Sequence, residues 1–145
     1  MYFVDRDKIE VILVHLEKQI ELFEQKKEWE TPYEKAALER IPHIMIEAIL
    51  DVGNDIIDGF IMRDPGSYED IIDILTDEKV VTQELSLALK RIIPYRKILV
   101  QHYTEVDHAQ LQTDFTETLP ILKEFAPLVR NYLQNELGPV SAFRR

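Results

Sequence analysis

The 145-residue sequence contains no cysteine, which excludes a disulfide scaffold, a thiolate metal site and a cysteine nucleophile together. Its four glycines, Gly53, Gly59, Gly66 and Gly138, are scattered. No glycine-rich phosphate loop exists, and a βαβ nucleotide-binding fold is excluded with it. No apolar run approaches the roughly 18 residues of a membrane span. The start, Met1-Tyr2-Phe3-Val4-Asp5-Arg6-Asp7, has neither the basic segment nor the apolar core of a signal peptide. A cytoplasmic protein without membrane association is expected. Positive charge is also scarce: 17 Lys and Arg face 27 Asp and Glu, a formal net charge of −10. Such a chain binds polyanions poorly in general, so a nucleic-acid site has to be local.

What is present is helical periodicity. Ile9, Ile12, Leu13, Leu16, Ile20 and Phe23 recur at three and four residues and predict one amphipathic helix capped by Asp5 or Asp7. Thr31-Pro32 supplies an N-cap and a first-turn proline for a longer helix reaching about Met62, with Pro42 inside it. Arg63-Asp64-Pro65-Gly66-Ser67 is a turn. Short helices are expected from Tyr68 and from Thr82, with Pro94 interrupting the second. A last helix runs from about Asp107 to Leu137, with Pro120 and Pro127 placed to kink it and Gly138-Pro139 to stop it. No segment alternates apolar and polar residues as a strand would. The expected fold is all-α, an antiparallel four- to five-helix bundle occupying residues 1–138 as a single domain, with 139–145 as a tail.

Three constellations bear on chemistry. Glu47, Asp51 and Asn54 share a face of the second helix and form a possible polar ridge beside a site. Glu105-Val106-Asp107-His108 has the Glu-x-x-His spacing of di-iron bundles, which need two copies and two further glutamates; with one copy, no metal site is assigned. Lys90, Arg91, Arg96 and Lys97 form a basic cluster interleaved with Tyr95, His102 and Tyr103. Arginine holds phosphate through its planar fork and histidine exchanges protons near neutral pH. The cluster therefore suits anion binding, and its plainer reading is a helix C-terminus whose cations complement the macrodipole.

Ile46-Glu47-Ala48-Ile49-Leu50-Asp51-Val52-Gly53-Asn54, then Asp64-Pro65-Gly66-Ser67-Tyr68, then Leu89-Lys90 and Tyr95 through Asp107 together resemble the HepT-like family of HEPN domains, over nearly the whole chain. The resemblance implies a homodimer with a composite cleft and the toxin half of a type VII-like toxin–antitoxin pair. It also implies metal-independent RNA cleavage without a cofactor, and a minimal nucleotidyltransferase partner that inactivates the toxin by transferring AMP to a tyrosine. The family pattern is arginine, four residues, histidine, any residue, tyrosine. Arg96 and Tyr103 fill its ends, and Tyr103 is the implied site of AMP transfer. Gln101 stands at the histidine position and His102 follows it.

On a continuous helix Gln101 lies roughly 140° from Arg96 and His102 roughly 120° the other way, while Tyr103 returns to about −20°. Glutamine hydrogen-bonds phosphate and cannot transfer a proton, so weak or absent cleavage is expected. Two readings stay open: a ribonuclease in which His102 replaces the usual histidine, and a catalytically inactive homodimer that keeps a nucleotide or anion pocket around Arg96 and binds a partner.

Overall fold

Asp5 opens the first helix by accepting the Lys8 backbone N–H at 3.0 Å, and α1 then runs Arg6–Gln25. The structure, a computed structural model, describes residues 4–138; the expected tail at 139–145 lies outside the described residues. Thr31 closes a capping box with Glu34, which satisfies two otherwise orphaned N–H groups, and α2 follows over Pro32–Gly59. The remaining helices are α3 (Tyr68–Asp77), α4 (Gln83–Ile92), α5 (Tyr95–Gln101), α6 (His108–Leu122) and α7 (Phe125–Leu137). No strand occurs among the described residues. Two pairs, α4 with α5 and α6 with α7, are each separated by only two residues, so the seven segments make five rods.

The departures from the expected boundaries have local causes. Ile61 adopts φ 56°, and Met62 N–H reaches back to Ile57 O at 2.9 Å. This left-handed closure ends α2 at Gly59 although the apolar pattern continues. Pro42 is buried and does not end α2. The last helix is divided at Lys123 and Glu124, between the two prolines that foreshadowed a kink. Pro127 falls in the first turn of α7, where a missing N–H forfeits no helical hydrogen bond.

The apolar faces meet in one contiguous core. Ile9, Leu13, Leu16, Ile20 and Phe23 of α1 pack on Leu38, Met45, Ile49, Val52 and Ile56 of α2, all buried. Each side chain so buried contributes about 1.5–3 kcal/mol. Gly53 lets α3 approach α2 closely, since a Cβ there would lie 2.7 Å from Ile71 Cγ2. Arg130 of α7 bridges Glu10 and Glu17 of α1 through four hydrogen bonds of 2.8–3.0 Å. No helix among the described residues is long and apolar enough to cross a membrane.

Candidate functional site

Tyr95, the first residue of α5, is buried and donates its hydroxyl to Asp114 of α6. Asp114 also accepts Arg91 Nε at 2.9 Å, Arg91 Nη2 at 2.7 Å and Gln110 Nε2 at 3.2 Å. Burial pushes the Asp114 carboxyl up, but these donors outweigh it and hold the group below the usual range. Burial and then the Asp114 hydrogen bond push the Tyr95 phenol well above its ordinary value. This network fixes the rotation of α5 about its axis. The next side chain, Arg96, consequently faces α2.

There Arg96 Nε donates to Glu47 Oε1 at 2.5 Å. The guanidinium lies over the Tyr68 ring, 4.6 Å from its centroid, a favourable cation–π placement. Nε2 of His43 is 3.3 Å from the same Glu47 oxygen. The Arg96 side chain makes its hydrogen bond through Nε and its ring contact through the guanidinium face, and its charge also acts on Asp51. The outer Nη edge, the one that grips a phosphate bidentately, remains available, with the side chain 27% exposed.

Two cavities flank α5. One, of about 360 Å³, is lined by Tyr68, Glu69, Pro94, Arg96, Lys97 and Gln101. The other, of about 590 Å³, is lined by Tyr95, Ile98, His102, Glu105 and Asp107. Gln101 thus shares a cavity with Arg96, and His102 opens onto the other side. The helix also ends at Gln101, with His102 as its C-cap at φ −116°, ψ 41°. Placing Tyr103 beside Arg96 by helical periodicity therefore fails, because Tyr103 lies past the last turn. The residue is 65% exposed.

The basic cluster is divided. Lys90 pairs with Asp73 of α3, and Arg91 with Asp114 and Glu117 of α6. Both occupy the last turn of α4, where cations complement the helix dipole. Helical rotation thus sends Lys90 and Arg91 to carboxylates on different neighbours, whereas Arg96 and Lys97 line one cavity. Asp51 lines a third cavity, of about 590 Å³, with Glu47 between α1 and α2. Burial, then the Glu47 and Asp55 charges, raise its pKa. Asn54 is half-buried and lines none of these three cavities. His108 Nε2 lies 2.6 Å from Glu39. Among the described residues, no group of three metal-ligating side chains converges.

The sequence placed Glu47 on a polar ridge and Tyr68 in a family segment without joining either to Arg96, and gave His43 no role. Glu47 carried a usable signal, a carboxylate one turn before Asp51 in a chain whose motif arginine needs an anchor.

Comparison with known proteins matches residues 9–129 to the family described as Ribonuclease HepT-like. The chain belongs to the HepT-like family. One relative is 53% identical over 144 residues, covering 99% of this chain and 100% of its own: the protein of Bacillus subtilis (strain 168) named "Putative RNase YutE". The solved structure of YutE from Bacillus subtilis, described as a cytosolic protein of unknown function, superposes with a TM-score of 0.95 at 53% identity, covering 99% and 100% of the two chains. A tri-AMPylated Shewanella oneidensis HEPN toxin, solved in complex with an MNT antitoxin, gives a TM-score of 0.77 at 20% identity, covering 87% of this chain and 98% of the toxin. That last likeness establishes a shared HEPN fold.

Proposed function

We propose that this HepT-like chain is a cytoplasmic RNA-binding toxin in which Arg96 grips the phosphate at the cleavage position and metal-independent cleavage is slow. The observation that carries the reading is the pairing of Arg96 with Glu47. It occupies Nε and leaves the outer edge of the guanidinium for a ligand, in a residue that lines a cavity with Lys97 and Gln101. Cleavage of RNA by its own 2′-hydroxyl needs charge stabilisation at phosphorus and a proton-transfer group. The cavity supplies the first through Arg96. Gln101 occupies the place of the second and cannot titrate.

That same observation favours a second reading, in which the cavity binds a nucleotide or other anion without cleaving it. In either reading the protein works as a homodimer. The apolar face of α2 does not offer a pairing surface, since most of it is buried within the protomer. It is α1 that leaves Val11 70% and Val14 39% exposed, beside the cavity that contains Glu47. A minimal nucleotidyltransferase antitoxin is the proposed partner, with Tyr103 as the accessible phenol it modifies.

The deciding experiment incubates purified protein with single-stranded RNA in EDTA and compares wild type with Arg96→Ala. Slow cleavage lost in the variant supports the ribonuclease, and RNA binding without cleavage supports the second reading. Efficient cleavage that survives Arg96→Ala overturns the site.

A further inference from the structure

The Arg96 cavity contains groups that phosphate binding does not use. Tyr68 stands at the first position of α3 with 46% of its surface exposed. Its approach is fixed by the preceding turn: Arg63 grips Asp70 through two hydrogen bonds of 2.9 and 3.0 Å, and Gly66 N–H donates to Asp70 at 2.8 Å. Glu69 and Gln101 line the same cavity; their side chains make no hydrogen bond or close ion pair among the described residues, and Glu69 interacts electrostatically with Lys90. Two cations, an aromatic ring, an amide and a carboxylate thus surround a space of about 360 Å³, near the lower limit of small-molecule sites. One nucleotide fits such a space, and a duplex does not.

We infer that this cavity is a base-binding subsite that selects a guanine in single-stranded RNA, with Tyr68 as the stacking platform and Glu69 and Gln101 as the readers of the base edge. The inference rests on RNA being the ligand at Arg96. Single-stranded recognition stacks a splayed base on an aromatic ring and reads its Watson–Crick edge. Arg96 lies over one face of the Tyr68 ring and polarises it, so the base stacks on the opposite face, one ring away from the phosphate-gripping group. Guanine alone among the four bases presents two adjacent N–H donors, at N1 and N2, next to a carbonyl oxygen. An ionised carboxylate accepts from both donors, and an amide NH₂ donates to the oxygen. Adenine and cytosine would set a ring-nitrogen lone pair against the Glu69 carboxylate, and uracil offers it one donor between two carbonyls. Gln101 is then a specificity-determining residue in the place where relatives of the pattern keep a proton-transfer group.

The test is fluorescence anisotropy on the full-length protein in EDTA, with labelled ten-residue oligouridine carrying a single central G, A or C, and with free GMP as competitor. The G oligonucleotide is expected to bind about 10-fold more tightly than the A or C forms, and Tyr68→Ala to lose about 10-fold or more while Tyr68→Phe keeps affinity. Glu69→Gln is expected to erase the preference for G with binding retained, and millimolar GMP to displace the G oligonucleotide only weakly. Equal affinity for the oligonucleotides, or unchanged binding by Tyr68→Ala, overturns the base subsite and leaves RNA binding at Arg96 standing. Tight GMP binding without oligonucleotide binding assigns the pocket to a free nucleotide and overturns the inference. No binding to any oligonucleotide overturns the RNA reading itself.

Discussion

Arg96 and Glu47, 49 positions apart in the chain, share a hydrogen bond of 2.5 Å between Nε and Oε1. The pair couples the middle of the longest helix to the short helix that bears the family motif. Because the carboxylate engages Nε, it sets the plane of the guanidinium and leaves the forked edge outward. A charged hydrogen bond of this kind also limits side-chain wandering.

Glu47→Ala is expected to lower RNA cleavage or phosphate-dependent RNA binding by roughly 10- to 100-fold through loss of Arg96 orientation. Glu47→Gln keeps an acceptor oxygen and should retain most of the function. Equal loss in the two variants would show that charge, and not geometry, is what Glu47 supplies; parallel melting curves check the fold.

Restoring a histidine on the Arg96 side should restore proton transfer. Gln101→His is expected to raise metal-free RNA cleavage by roughly 10²–10⁴-fold, the usual scale of one general acid or base. His102→Ala, acting on the opposite cavity, should change the rate less than threefold, taken as about 0.6 kcal/mol in barrier. A His102→Ala variant as impaired as Arg96→Ala would reverse the assignment of the two sides.

Tyr103 is exposed beyond the end of α5, where a transferase can reach its hydroxyl. Coexpression with a cognate minimal nucleotidyltransferase should add AMP to Tyr103, and the modified protein should lose RNA binding because the added phosphate repels the backbone. Peptide mass spectrometry on wild type and Tyr103→Phe reads the site; modification unchanged in Tyr103→Phe sinks the assignment.

Gly53 is a packing glycine. Ala has the better helix propensity by about 1 kcal/mol, but its methyl would press on Ile71 at 2.7 Å, and overpacking costs about 1–3 kcal/mol. Gly53→Ala should therefore be destabilising by up to about 2 kcal/mol, the propensity gain offsetting part of the clash. Urea denaturation measures it, and a stabilised variant would mean that α3 moves away without penalty.

Two carboxylates should respond to pH with opposite signs. Asp51 has a raised pKa, from burial and then the Glu47 and Asp55 charges. Its contribution favours folding fully below about pH 4 and is lost as pH rises through its folded value. Asp51→Asn should therefore raise the melting temperature at pH 7, with the gain shrinking in acid. Asp114 is lowered because its donors outweigh burial, so its contribution is present above about pH 4 and is lost as pH falls through its folded value. Asp114→Asn should cost about 2–3 kcal/mol at neutral pH, given the charged hydrogen bonds it weakens. Thermal melts between pH 3 and 7 compare the two.

The sequence by itself determined the all-α fold and the caps at Asp5 and Thr31, because helical periodicity and short-range hydrogen bonds are local properties of the chain, and its three motif segments pointed to the HepT-like family; the caps at Ser67, Thr82 and Asp107 emerged only in the structure. The glutamine at the motif position was legible in those segments. Only the tertiary structure decided which cations remain for a ligand. Lys90, Arg91 and Arg96 are near neighbours in sequence, yet they face α3, α6 and α2, since each step along a helix turns the side chain by about 100°. It also decided that Tyr68 joins Arg96 and that His102 opens onto another cavity. Contacts across tens of residues depend on how whole helices pack, and Ile61 shows the limit plainly: its left-handed backbone ends α2 at Gly59 where the apolar pattern alone would have carried the helix on to Met62.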